Sequence, residues 1–168
     1  ILKTDCFLPC TDLKSMESTL CQLRECRAVR HITLLVTEEF ALKNTAPEGC
    51  TMIVVDNITS ALAINSIADN TDSEYSLLYT KSLPLTIGLY GIRRMLRVAA
   101  ETNSGMVYSD HYSVENGLTV NHPVIDYQKG SLRDDFDFGS LLLIKSKLIK
   151  DYAAENDNSE FKYAALYD

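Results

Sequence analysis

Short apolar runs recur through the first half of this chain, and they constrain its fold more than any other feature. They fall at residues 3–8 (KTDCFL, ended by Pro9), 32–36 (ITLLV), 52–55 (MIVV) and 75–79 (YSLLY). A strand with one wet face alternates polar and apolar residues, whereas a continuous run marks a strand covered on both faces. Helical patterns lie between the runs. Asp12 can cap a helix whose apolar face is Leu13, Met16, Leu20 and Leu23. Residues 60–70 repeat the pattern with Ala61, Ile64 and Ala68. Alternating strand and helix predicts an α/β fold: three layers, α/β/α, around a mostly parallel sheet.

The second half continues with a helix over 85–102, in which Leu85, Leu89, Ile92, Leu96 and Ala99 line one face after Pro84 and Gly105 provides the stop. Segments 106–113 (MVYSDHYS) and 118–127 (LTVNHPVIDY) flank Asn116-Gly117, a strong hairpin signal, and this hairpin is expected to make the sheet mixed. A polar loop over 130–139 leads to a strand at 141–144 and a helix over 147–155. The chain begins without Met, and its last helical segment, 161–168, is cut by the final residue, which predicts a single domain, 1–168, excised from a longer protein.

Composition removes several function classes. A net charge of −7 is wrong for a nucleic-acid surface, which needs a basic stripe. The densest basic cluster, Arg93, Arg94 and Arg97, reads as the solvated face of the long helix. No apolar run reaches the ~18 residues that span a bilayer, and residues 1–8, with Lys3 and Asp5, read as a strand rather than a signal peptide. The expected setting is cytoplasmic. The five cysteines, Cys6, Cys10, Cys21, Cys26 and Cys50, form no CxxC pair and read as small hydrophobes in a reducing compartment, not as a zinc site. Neither a GxGxxG nor a Walker loop follows the first strand, and no Ser-His-Asp grouping stands out.

In an open α/β sheet the ligand sits beyond the C-terminal strand ends. That singles out residues 9–12, 37–39, 56–60, 79–82 and 110–112. These segments occur in a recognisable order: a strand ending Cys6-Phe7-Leu8-Pro9; a second ending Val36-Thr37-Glu38-Glu39; a small-residue helix, Ser60 to Ala68, containing Asn65; then the strand Glu74-Tyr75-Ser76-Leu77-Leu78. Later come residues 105–112, the strand 122–127 (HPVIDY) and the loop 130–136 (GSLRDDF). In this succession the chain resembles family 2 glycosyltransferases, bacterial branch, which have the GT-A fold. The resemblance implies a nucleotide diphospho-sugar donor, a saccharide or lipid-linked acceptor, inverting transfer, and a role in polysaccharide biosynthesis. It also implies nucleotide-sugar contacts at Pro9, Glu38, Glu39 and Asn65.

The sequence departs from that family at one place. The family has Asp-x-Asp after the fourth strand, whose carboxylates hold Mg or Mn; here the stretch is Thr80-Lys81-Ser82. Lys81 is therefore the candidate to meet the diphosphate as a point charge. A displaced metal site at Asp110, His111 and His122 is disfavoured, because adjacent strand residues point to opposite faces. The family's catalytic base is an Asp at the start of the helix after the last strand, which corresponds to Asp168, preceded here by Tyr167. Asp134 and Asp135, in the acidic loop, are alternative bases. Two rival readings remain: a non-catalytic GT-A-like domain that binds a nucleotide or a partner, and a doubly wound module without a nucleotide role.

Overall fold

The computed structural model describes residues 2–88, 90–115, 118–123 and 138–155. Its elements are β1 (Thr4–Pro9), α1 (Leu13–Glu25), β2 (Val29–Val36), α2 (Glu38–Lys43), β3 (Cys50–Val54), α3 (Ala61–Asn70) and β4 (Tyr75–Tyr79). They are followed by α4 (Gly91–Thr102), β5 (Met106–Tyr108), β6 (His111–Glu115), β7 (Leu118–His122), β8 (Leu141–Lys145) and α5 (Ser146–Glu155). Six strands form one sheet in the order β3-β2-β1-β4-β8-β5. Strands β1 to β4 pair in parallel; β8 runs antiparallel to both β4 and β5. The sheet is mixed and mostly parallel, with helices on both faces, as the apolar runs predict.

The two faces explain those runs. On one side Cys6 and Leu8 of β1, Leu77 of β4 and Leu143 of β8 pack with Met16 and Leu20 of α1 and Ile92 and Leu96 of α4. On the other side the alternate residues Phe7, Leu78 and Leu142 pack with Ile64 and Ile67 of α3 and Ile149 of α5. Every second residue of a central strand thus enters a different core. Neither face of such a strand is left to water, and the polar side chains it does carry, Asp5 of β1 and Ser76 of β4, are buried.

Three expectations need correction. First, the hairpin does not make the sheet mixed. β6 and β7 pair only with each other, as a separate two-stranded sheet, and β8 supplies the antiparallel strand. The slot between β4 and β5 is buried on both faces, so it takes the continuous run LLLIK rather than HYSVE or LTVNH, whose Tyr112 and Leu118 stay exposed. Second, the long helix begins at Gly91, not at residue 85. The Leu85 N–H donates to Thr19 Oγ1 (2.8 Å) and the Ile87 N–H to Gln22 Oε1 (2.9 Å), so α1 side chains hold this stretch as a strap outside any helix. Leu89 lies outside the described residues, while Ile92, Leu96 and Ala99 are buried as expected. Third, the helix stops at Asn103, which takes the left-handed conformation (φ 51). Gly105 already gives its carbonyl to the Lys145 N–H beside β8 (2.8 Å).

Arg93, Arg94 and Arg97 are exposed on α4. Cys6 and Cys10 are buried, Cys26 and Cys50 are half-buried and Cys21 is exposed; all five are free thiols. Among the described residues no helix is long and apolar enough to cross a membrane.

At the N-terminal ends of the parallel strands lies a buried polar cluster. Asp5, 1% exposed, accepts from the backbone N–H groups of Asp72 and Ser73 (both 2.9 Å) and from Arg30 Nε (3.1 Å). Arg30 also bonds Asp72 (2.7 Å). Beside it the hydroxyls of Thr71, Ser76 and Ser146 bond one another at 2.8, 3.2 and 2.8 Å. This cluster ties β1, β4, the end of α3 and the start of α5 together.

Candidate functional site

The chain winds from β1 to β2 to β3 in one direction and then crosses to β4 on the other side of β1. The crevice of such a sheet opens where the winding reverses, beyond the C-terminal ends of β1 and β4. Here the two bounding loops are 10–12 and 80–82, and they touch. Ser82 Oγ accepts the Thr11 N–H (2.9 Å) and shares a second hydrogen bond with Thr11 Oγ1 (2.8 Å). Next to this contact, between the first turn of α1 and the short helix α2, is an open cleft of about 570 Å³. Thr11, Asp12, Lys14, Glu39, Phe40 and Lys43 are among the residues that line it.

The charges of the cleft are partly spent. The Asp12 carboxylate caps α1, accepting from the N–H groups of Lys14 (3.2 Å) and Ser15 (3.1 Å). The first turn of α1 is therefore already satisfied, and an anion there would meet a carboxylate. In α2, Thr37 Oγ1 accepts the Phe40 N–H (3.3 Å), and Glu39 pairs with Lys43 one turn on (2.5 Å). Lys14 and Lys81, both exposed, have no acidic partner among the described residues, so they are the cations left for a ligand. Burial pushes the Cys10 thiol up, against a hydrogen bond from the Asp12 backbone that lowers it.

The residues expected from sequence fall in different places. Pro9 ends β1 half-buried under the cleft. Glu39 lines the cleft, and Glu38 stands exposed beside it in the first turn of α2. Lys81 lies in the neighbouring loop, adjoining the Thr11–Ser82 contact. Asn65 is not brought to them. It sits in the second turn of α3, on the opposite face of the sheet, with its Oδ1 buried and without a hydrogen-bond partner among the described residues. Asp134, Asp135 and Asp168 lie outside the described residues.

The resemblance implied a divalent cation near 80–82, and the residues there do not fit one. None is a carboxylate; Thr80 Oγ1 is turned to the Ser140 carbonyl (3.4 Å) and Ser82 Oγ is taken by Thr11. His111 and His122 are register partners in the hairpin. Gly139, at φ 84, makes room for the His111 ring: a Cβ there would lie 3.2 Å from Nδ1. Among the described residues no group of three or more His, Cys, Asp or Glu could hold a metal ion.

The fold as a whole finds counterparts among solved structures. The chain has a mixed, mostly parallel α/β fold that solved structures share. It is similar to 4-diphosphocytidyl-2C-methyl-D-erythritol synthase from Anaerococcus prevotii, with a TM-score of 0.53 and 14% sequence identity over 96% of this chain and 78% of that one. HddC from Yersinia pseudotuberculosis gives a TM-score of 0.49 at 11% identity, over 95% of this chain and 82% of that one. At such identities the likeness is one of fold. No protein-family model matches the chain, and no curated protein matches it in sequence.

Thr11 falls in the singled-out stretch 9–12, but sequence reasoning missed Lys14, in the first turn of α1, and missed Phe40 and Lys43 because it missed α2. A signal for that helix was present: a Thr cap, two acidic residues in the first turn and a lysine in the last.

Proposed function

We propose that the chain binds the nucleoside diphosphate part of an activated sugar in the cleft beyond β1 and β2, as the donor-binding domain of an inverting glycosyltransferase. The observation that carries this reading is the position of the cleft at the strand ends, with Lys14 lining it and Lys81 in the adjoining loop, neither with an acidic partner among the described residues. Glu38 and Glu39 would face the nucleoside, whose ribose hydroxyls and base N–H groups are donors, and Phe40 offers it an apolar wall. Lys14 and Lys81 would meet the diphosphate in place of a metal, as point charges that stabilise the leaving group. In transfer, the acceptor oxygen bonds to the anomeric carbon as its bond to the diphosphate breaks, and a carboxylate takes the acceptor proton. Asp168 is the candidate base, with Asp134 and Asp135 as alternatives.

The competing reading is a non-catalytic nucleotide- or partner-binding domain, and the missing carboxylates at 80–82 favour it. Calorimetry with UDP, CDP, GDP and ADP, each with and without Mn²⁺, tests the shared part of both readings. Binding of at least one is expected, with less than a tenfold gain from Mn²⁺, about 1.4 kcal/mol. No binding at millimolar ligand overturns it. Turnover of the matching nucleotide sugar separates the two readings, and Asp168→Asn is expected to slow it at least ~100-fold. Binding without turnover of any nucleotide sugar selects the non-catalytic domain.

A further inference from the structure

The geometry points to Ser82 as a positioning residue for diphosphate binding: its hydroxyl clasps Thr11 and makes the two loops present one shared O–H donor to the ligand. This rests on the nucleotide-binding reading above. Thr11 and Ser82 are 71 positions apart, yet two hydrogen bonds of 2.9 and 2.8 Å join them where the sheet changes winding direction. The proton count decides what the pair can do. Ser82 Oγ already accepts the Thr11 N–H. The two hydroxyls carry two hydrogens, and one lies between the oxygens. Whichever oxygen donates it, the second hydrogen has no place within the pair and is left for an outside acceptor. Thr11 lines the cleft, so when Ser82 donates the shared hydrogen the Thr11 hydroxyl is free to donate to a ligand there. A diphosphate is rich in acceptors, and the backbone donors it would otherwise find at α1 are taken by Asp12.

The clasp is not what holds its own loop in place. The Thr80 N–H donates to the Ser140 carbonyl (2.9 Å), the Tyr79 hydroxyl to the Leu83 carbonyl (3.0 Å), and Leu85 and Ile87 are fixed by Thr19 and Gln22. Residues 79–87 are thus anchored on both sides of Ser82 without its side chain. Removing the hydroxyl releases Thr11, the cleft residue, and leaves the strap where it is. A structural role and a positioning role therefore predict different outcomes.

The test is calorimetry of the whole chain with whichever of UDP, CDP, GDP and ADP binds most tightly, and with the matching nucleoside, alongside thermal denaturation. Ser82→Ala is expected to weaken the nucleoside diphosphate about tenfold, the effect of one hydrogen bond to a charged group. Nucleoside affinity and Tm should stay close to those of the parent. Ser82→Thr, which keeps the hydroxyl, should restore diphosphate binding to within about threefold. Thr11→Val, isosteric and without the hydroxyl, should repeat the tenfold loss and covers the case in which Ser82→Ala does not fold. Diphosphate binding unchanged in both hydroxyl-free variants overturns the inference while the nucleotide reading stands. Equal losses for nucleoside and diphosphate, or a matching fall in Tm, also overturn it, since they mark a structural role. A parent that binds none of the four probes removes both readings together.

Discussion

At one end of β1 the Asp5 carboxylate is enclosed and receives four donors: two backbone N–H groups, a guanidinium and the Thr71 hydroxyl at 3.4 Å. At the other end Asp12 is exposed, spends its oxygens on α1, and stands beside Lys14, whose ammonium has no acidic partner among the described residues. The same strand therefore joins a closed polar cluster to an open one. Buried polar groups contribute to stability only when their partners are complete, because an orphaned donor or acceptor costs about 1–3 kcal/mol. An exposed group left unpaired costs little and keeps its capacity to bind. Saturation marks the end that holds the fold; its absence marks the end that can hold a ligand.

The largest expected effect is at the closed end. Asp5→Ala leaves the N–H groups of Asp72 and Ser73 without an acceptor and should cost about 3 kcal/mol. For a chain of this size that lowers Tm by roughly 6–12 °C. Nucleotide affinity of the folded variant should not change. A fall under about 3 °C in thermal denaturation would break the contrast. The open end should behave in the opposite way: Lys14→Ala is expected to weaken nucleoside diphosphate binding about fivefold by calorimetry, with Tm shifted by less than about 2 °C.

The smallest effect is the pH dependence of the closed end. Burial alone would raise the Asp5 carboxyl, but the N–H groups of Asp72 and Ser73 and the Arg30 guanidinium outweigh it and hold the group below the usual carboxylate range. The unfolded chain takes up this proton near the ordinary value of about 3.9, the folded chain only at lower pH. The contribution is thus complete above about pH 5 and is lost as pH falls through the folded value. The Tm difference between the parent and Asp5→Asn should narrow between about pH 5 and pH 2. A constant difference across that range would assign the stability to the hydrogen bonds irrespective of charge.

Much of the framework was readable in the sequence. The bounds of β4 follow from YSLLY, Asp12 caps α1 as its position suggests, and the parallel core follows from runs without alternation. The strap was not readable, because Leu85 and Ile87 pack against the same core whether helical or extended. What decides their conformation is a pair of side chains on α1, more than sixty positions away. The helix α2 escaped for another reason: six residues are too few to show a period. In the candidate site, Pro9, Glu38, Glu39 and Lys81 were legible as strand-end residues. The Thr11–Ser82 contact was not, since no local pattern encodes a hydrogen bond between loops 71 positions apart.

The late arrival of β8 has a consequence for how the molecule is made. β4 is complete at Tyr79 and β5 at Tyr108, but neither can pair on that side until residues 141–145 have been synthesised and threaded between them. Until then the β4 run YSLLY presents a bare, uncharged edge, and β5 has no neighbouring strand among the described residues. Such an edge is a template for pairing with other chains. The interval between translation of Tyr79 and of Lys145 is therefore when the nascent protein is most prone to aggregate, and insertion of a strand this distant in sequence is an intrinsically slow step.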